Sequence, residues 1–124
     1  MSVPILKYGS KLIASVQTEL ADSNWIDLRD RMLRQAAKHR ARVAIIDVTG
    51  MDVLDSYAGR ALSTMAEMLH LRGVQCVVVG IQPDVAFAMV ELGLHLDGIA
   101  TALDLEEGAE LAQRLLEKGA HRGS

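Results

Sequence analysis

One cysteine, two prolines and four aromatic residues in 124 positions set the first limits on this chain. Cys76 has no partner for an internal disulfide, so no cross-linked framework holds the fold, and a reducing compartment fits. Inside Val74-Gln-Cys-Val-Val-Val79, it reads as a small core hydrophobe. With aromatics at 3%, the core must be aliphatic. No uninterrupted apolar run approaches the ~20 residues of a membrane helix. The N-terminus has no charged segment followed by an apolar block, so no signal peptide is expected. A soluble, cytoplasmic protein with no membrane partner is expected. The net charge of −3 supplies no basic field for nucleic acid. The basic run Arg34–Arg42 has no interleaved aromatics and reads as a solvated helix face.

Catalytic and cofactor signatures are missing as well. The histidines at 39, 70, 95 and 121 stand at no metal-ligand spacing, which argues against a zinc site. Phosphate-cradling GxxxxGK[ST] and GxGxxG motifs and the GxSxG nucleophile turn are lacking, so no cofactor is expected. His70 could serve Ser56 as a base only if the two met. They stand at opposite ends of one expected helix, about 20 Å apart at ~1.5 Å per residue.

What is present is half hydrophobic, enough for one globular domain. Val3–Leu6 and Leu12–Val16 flank the turn residues Tyr8-Gly9-Ser10-Lys11 and predict a hairpin. From about Asn24 to Arg40, Trp25, Leu28, Met32 and Ala36 recur at helical steps, with Ile26, Leu33 and Ala37 widening the stripe. Val43–Val48 is a β-branched strand. A helix over Ser56–Leu71 carries Ala58, Ala61, Leu62, Met65 and Leu69 inward and ends at Arg72-Gly73. Val74–Val79, apolar on both faces apart from Gln75, predicts an interior strand. Pro83 starts a helix with Val85, Met89 and Leu92 inward, stopping near Gly93. A weak strand is expected near Ile99–Ala102. The last helix opens on the capping box Asp104-Leu-Glu-Glu107 and buries Leu105, Ala109, Ala112, Leu115 and Leu116. The alternation predicts an α/β fold with a mostly parallel sheet of four to five strands and about four helices. Residues 1–118 form the expected domain, and 119–124 a disordered tail.

The segment with chemistry is Val43–Leu62. A strand ends in Thr49-Gly50, and Asp55-Ser56 opens a helix. Ser56 reads first as an ordinary N-cap, with Asp55 as a favourable anion beside it. A hydroxyl placed there is also ready for phosphorylation, which adds about −1.5 to −2 charge and three acceptor oxygens. With Asp52 and Asp55 alongside, a docked partner would be repelled without any change of fold. The loop Gly80-Ile-Gln-Pro83 should reach the same sheet edge, where α/β proteins place their sites.

These segments resemble the STAS domain of anti-sigma-factor antagonists over Val3 to about Glu117. The resemblance is carried by Ile46-Asp47-Val-Thr-Gly-Met51, Leu54-Asp-Ser56 and Tyr57-Ala-Gly59. More narrowly, Ser15-Val-Gln-Thr-Glu-Leu20, Gly80-Ile-Gln-Pro83, Glu91-Leu-Gly93 and Ala102-Leu-Asp-Leu-Glu106 resemble the RsbS type of stressosome scaffold. The resemblance implies a non-enzymatic STAS fold that assembles, as a homodimer or larger, with RsbR-type sensor proteins. It implies capture of an RsbT-type serine/threonine kinase, released on phosphorylation of Ser56, and a phosphatase to reset the switch. Asp55, Thr49, Gly50, Met51, Tyr57, Arg60 and Gln82 are the candidate partner-binding residues around Ser56. The pattern departs at Ala21, where the family is expected to carry Asp; Asp22 is the candidate substitute cap.

Two other readings compete. A receiver-like domain would be phosphorylated on Asp47, but Gln82 precedes Pro83 where a lysine is needed, and no acidic pair follows an early strand to hold Mg²⁺. A small acidic-site enzyme would use Asp47, Asp52 and Asp55, with no His or Lys to complete the chemistry.

Overall fold

The computed structural model describes residues 2–96 and 99–122, the last four by backbone alone. Two antiparallel strands, β1 (Ile5–Tyr8) and β2 (Lys11–Ser15), open the chain as a hairpin turning on Gly9. Three further strands, β3 (Val43–Asp47), β4 (Gln75–Val79) and β5 (Ala100–Ala102), follow, each parallel to its predecessor. The sheet order is β1-β2-β3-β4-β5, so β3 and β4 are both interior. Helices α1 (Asp22–His39), α2 (Ser56–Leu71) and α3 (Pro83–Glu91) make the crossovers between parallel strands, and α4 (Leu105–Arg122) ends the chain.

The strand sequences explain the layering. Along β3, Ala44 and Ile46 point into the larger core with α1, α2 and α3, while Val43 and Ile45 point into the smaller one beneath α4. Strand β4 alternates in the same way, with Cys76 and Val78 on one side and Val77 and Val79 on the other. A strand covered on both faces has no polar side, which is why these two runs are continuously aliphatic. Gly108 lets α4 approach the sheet: a Cβ there would stand 2.4 Å from a Val79 methyl.

The expected element order holds throughout, and the α2 bounds match the expected Ser56–Leu71. Four side chains depart from the expected stripes. Ile26 (43% exposed) and Ala37 lie outside the α1 seam of Trp25, Leu28, Met32 and Ala36. Leu92 falls on the α3 C-cap rather than inside the helix. Leu105, expected inside, is also exposed, because the buried line of α4 runs through Gly108 and Ala112. Helix α4 continues to Arg122, past the end expected at Lys118; 123 and 124 lie outside the described residues. No helix among the described residues is long and apolar enough to cross a membrane.

Candidate functional site

The carboxyl ends of β3 and β4 carry the connections to α2 and α3, and the parallel topology brings both loops to one edge. The β3–α2 loop is anchored by two apolar residues. Met51 (1% exposed) and Leu54 (6% exposed) turn into the core, while Asp52 and Val53 between them stay outside. Met51 is therefore not a surface residue as expected: its amide donates to the Val48 carbonyl, and the turn tucks its side chain inward. Thr49 and Gly50 are exposed at the apex.

A short polar relay ties the loop down. Asp47 at the end of β3 is half-buried and accepts from Thr49 twice, from its amide at 3.0 Å and its hydroxyl at 2.6 Å. The Gln82 amide nitrogen donates to the Thr49 carbonyl and, at 3.3 Å, to an Asp52 carboxylate oxygen. Gln82 thus laces the α3 loop to the α2 loop across the sheet edge. Gly80 permits this approach: it has φ +78°, and a Cβ there would overlap the Thr49 hydroxyl at 1.9 Å. Gly50 has a different constraint. A Cβ on it would meet the Gln17 backbone at 2.4–2.6 Å, so the β2–α1 loop closes against the same platform.

Helix α2 is capped by Asp55, not by Ser56. Asp55 has extended backbone (φ −90°, ψ 174°), and its carboxylate accepts from the Ala58 amide at 2.7 Å. The Gly59 amide donates to the Asp55 carbonyl. Ser56 is the first helical residue, half-buried, with its hydroxyl not needed for the cap. The amides of Ser56 and Tyr57 lack intrahelical acceptors, as first-turn amides must. Asp22 likewise does not cap α1: the N-cap is Ala21, with no side-chain bond. Tyr57 (half-buried) and Arg60 (exposed) face a cavity of about 280 Å³ between α1 and α2, which Trp25, Ile26, Arg29 and Thr64 also line.

The structure thus gathers Thr49, Gly50, Asp52, Asp55, Ser56 and Gln82 at one edge, with Tyr57 next to Ser56 and Arg60 about one turn along α2. Sequence reasoning missed the β2–α1 loop as part of this surface. Glu19 and Leu20 share a small cleft with Val53 and Asp55. The signal was available: β2 pairs in parallel with β3, so the segments after both strands must emerge side by side. The three aspartates weighed as an acidic centre are each bound to a protein donor: Asp47 to Thr49, Asp52 to Gln82 and Asp55 to Ala58. Among the described residues no group of three His, Cys, Asp or Glu could hold a metal ion. Cys76 is buried under α2, its Sγ 3.7 Å from the Ala66 carbonyl, and burial pushes its thiol up to about 12, so it is no nucleophile at neutral pH.

Comparison with known proteins agrees with this geometry. The STAS domain pattern matches residues 3–108. The RsbT co-antagonist protein RsbRA of Bacillus subtilis is 29% identical over 107 residues, covering 86% of this chain and 38% of the relative. This chain therefore spans well under half the length of such curated relatives. Among solved structures, a serine-to-glutamate variant of RsbS from Moorella thermoacetica superposes with a TM-score of 0.82 at 30% identity. The match covers 93% of this chain and 97% of that one. A chain of the stressosome, described as a signal integration and transduction hub, gives 0.77 at 28% identity, covering 91% and 98%. The chain belongs to the STAS domain family, and within it to the RsbS/RsbR type of stressosome protein.

Proposed function

We propose that this chain is a non-enzymatic, cytoplasmic scaffold that captures a serine/threonine kinase of the RsbT type and releases it when Ser56 is phosphorylated. Its other partners are RsbR-type proteins joined through related STAS domains, and a phosphatase that resets Ser56. The single observation behind this reading is the position of Ser56. It is the first residue of α2, at an edge where two loops are locked together, and its side chain is not consumed by capping. A phosphoryl group there would sit against the free first-turn amides, where the helix macrodipole favours an anion. Asp52 and Asp55 are exposed beside it, so the modified surface would carry about four negative charges. The fold would not need to move, because the loop relay through Asp47, Thr49 and Gln82 does not use the Ser56 hydroxyl. Thr49, Gly50, Tyr57, Arg60 and Gln82 would form the surrounding kinase footprint; Met51 would support it from within.

The test is intact-mass analysis after incubation with the cognate kinase and ATP. One phosphoryl group is expected on the wild type and none on Ser56→Ala. Ser56→Ala should still retain the kinase in a pull-down, whereas Ser56→Asp should weaken capture roughly tenfold or more. A phosphoryl group that persists on Ser56→Ala would refute the assignment.

A further inference from the structure

At the opposite end of α2 from Ser56, the last turns of α1 and α2 form an open groove of about 480 Å³. Its floor is Leu33, Ala37, Met68 and Leu71, and its rim is Arg34 and Arg72. Leu71 is 84% exposed. Neither arginine is in an ion pair among the described residues. A second unpartnered face lies on α3. Val85 and Met89 go inward, which turns Phe87 (67% exposed) and Val90 (79% exposed) outward. Asp84 and Glu91 flank those two on the same outer side at helical spacing, and α3 carries no basic residue. One chain therefore displays an apolar groove rimmed by cations and an apolar ridge flanked by anions.

We propose that the two fit each other between copies: the α3 ridge of one chain docks in the α1–α2 groove of the next. Phe87 and Val90 would fill the floor, while Asp84 and Glu91 meet Arg34 and Arg72. Charge decides against the simpler alternative of ridge on ridge. Two α3 faces brought together would oppose Asp84 and Glu91 to their own copies, and like charges across an interface are strongly disfavoured. Exposed apolar patches with a charged rim mark interaction sites rather than ordinary surface. The contact gives a surface to the assembling role proposed above and rests on that reading for its purpose. Its own test needs neither kinase nor phosphate. The groove lies about 20 Å along α2 from Ser56, so the chain that offers the groove keeps its own phosphorylation edge uncovered.

Sedimentation velocity of the full unphosphorylated chain reads the contact directly. Wild type is expected to gain mass with concentration. Arg34→Glu with Arg72→Glu makes both groove and ridge acidic; Asp84→Lys with Glu91→Lys makes both basic. Each double variant alone should associate at least roughly tenfold more weakly, and an equimolar mixture should regain association, because each now offers what the other lacks. Leu71→Lys and Phe87→Ser repeat the test at residues too exposed to support folding, with melting temperatures as the check. Three results would overturn the proposal: a wild type that stays monomeric, a groove variant that associates as the wild type does, or a mixture that does not recover.

Discussion

The two ends of α2 are built in opposite ways. At the Ser56 end every loop is tied to another: Gln82 to Thr49 and Asp52, Thr49 to Asp47, and Gly50 against the Gln17 backbone. At the Leu71 end the chain turns on Arg72 and Gly73, with a bare leucine facing outward and Arg34 and Arg72 in no ion pair among the described residues. A rigid edge suits a site that must present one hydroxyl in one place. An apolar edge, whose loops join through backbone bonds from Arg42 to Ser10 and from Gln75 to Arg42, suits burial by another molecule. The helix between them is the same 16 residues, so the difference comes from what the sheet edge supplies and not from helix propensity.

Two glycines sharpen this contrast most. Gly80 and Gly73 both have left-handed backbone, with φ +78° and +82°. Around Gly73 an added Cβ would meet nothing within 4 Å, whereas at Gly80 it would strike the Thr49 hydroxyl. Gly73→Ala should therefore cost only the conformational penalty, about 1 kcal/mol. Gly80→Ala adds the displacement of Thr49 from Asp47, a lost hydrogen bond, for about 2–3 kcal/mol in all. Urea unfolding of the two variants measures the gap; equal losses would show that the two ends are packed alike.

Cys76 tests whether the ends open together, since it lies under the middle of α2. Its folded thiol titrates near 12 instead of the usual 9 because burial penalises the thiolate. A folded value above the unfolded one means that stability is intact below pH 9 and declines as pH rises toward 12. The unfolded chain has then released a proton that the folded chain keeps. The slope contributed is about 1.4 kcal/mol per pH unit across that window. Comparing urea midpoints of the wild type and Cys76→Ala at pH 8 and pH 10 checks it: the wild type should lose more on going to pH 10. A thiol reagent at pH 8 should label Cys76 only at the rate of unfolding.

Much of this arrangement was legible in the residues, and the reasons are local. Asp-Ser before an apolar stripe and Arg-Gly after it fix both ends of α2, because capping and left-handed termination are decided within a few residues. The continuous aliphatic runs of β3 and β4 could only be interior strands. What was not legible depends on partners far along the chain. Met51 reads as a loop residue, and nothing nearby says that the turn at Val48 will drive it into the core. The bridge from Gln82 to Thr49 spans 33 positions and exists only because β3 and β4 are neighbours. The basic run near residue 34 reads as a solvated face until α2 brings Met68, Leu71 and Arg72 beside it.

The sequence puts the α2 cap on Ser56, although Asp55 is as strong a cap by residue type. The backbone decides for Asp55: Asp55 is extended and Ser56 is already helical. Asp55→Ala removes the acceptor for the Ala58 amide and should cost about 1 kcal/mol, with Ser56 unable to replace it without shifting the helix start. At the other end, Arg72→Ala removes an exposed side chain with no ion pair among the described residues and should stay within about 0.5 kcal/mol. Thermal unfolding of the two variants, at a concentration low enough to keep the chain monomeric, makes the comparison. If Ser56→Ala were the more damaging of the two substitutions at the helix start, the serine would be the cap. Its hydroxyl would then already be engaged, and phosphorylation would have to break the helix terminus it decorates. If Asp55→Ala is the damaging one, the carboxylate holds the helix while the neighbouring hydroxyl is left free for modification.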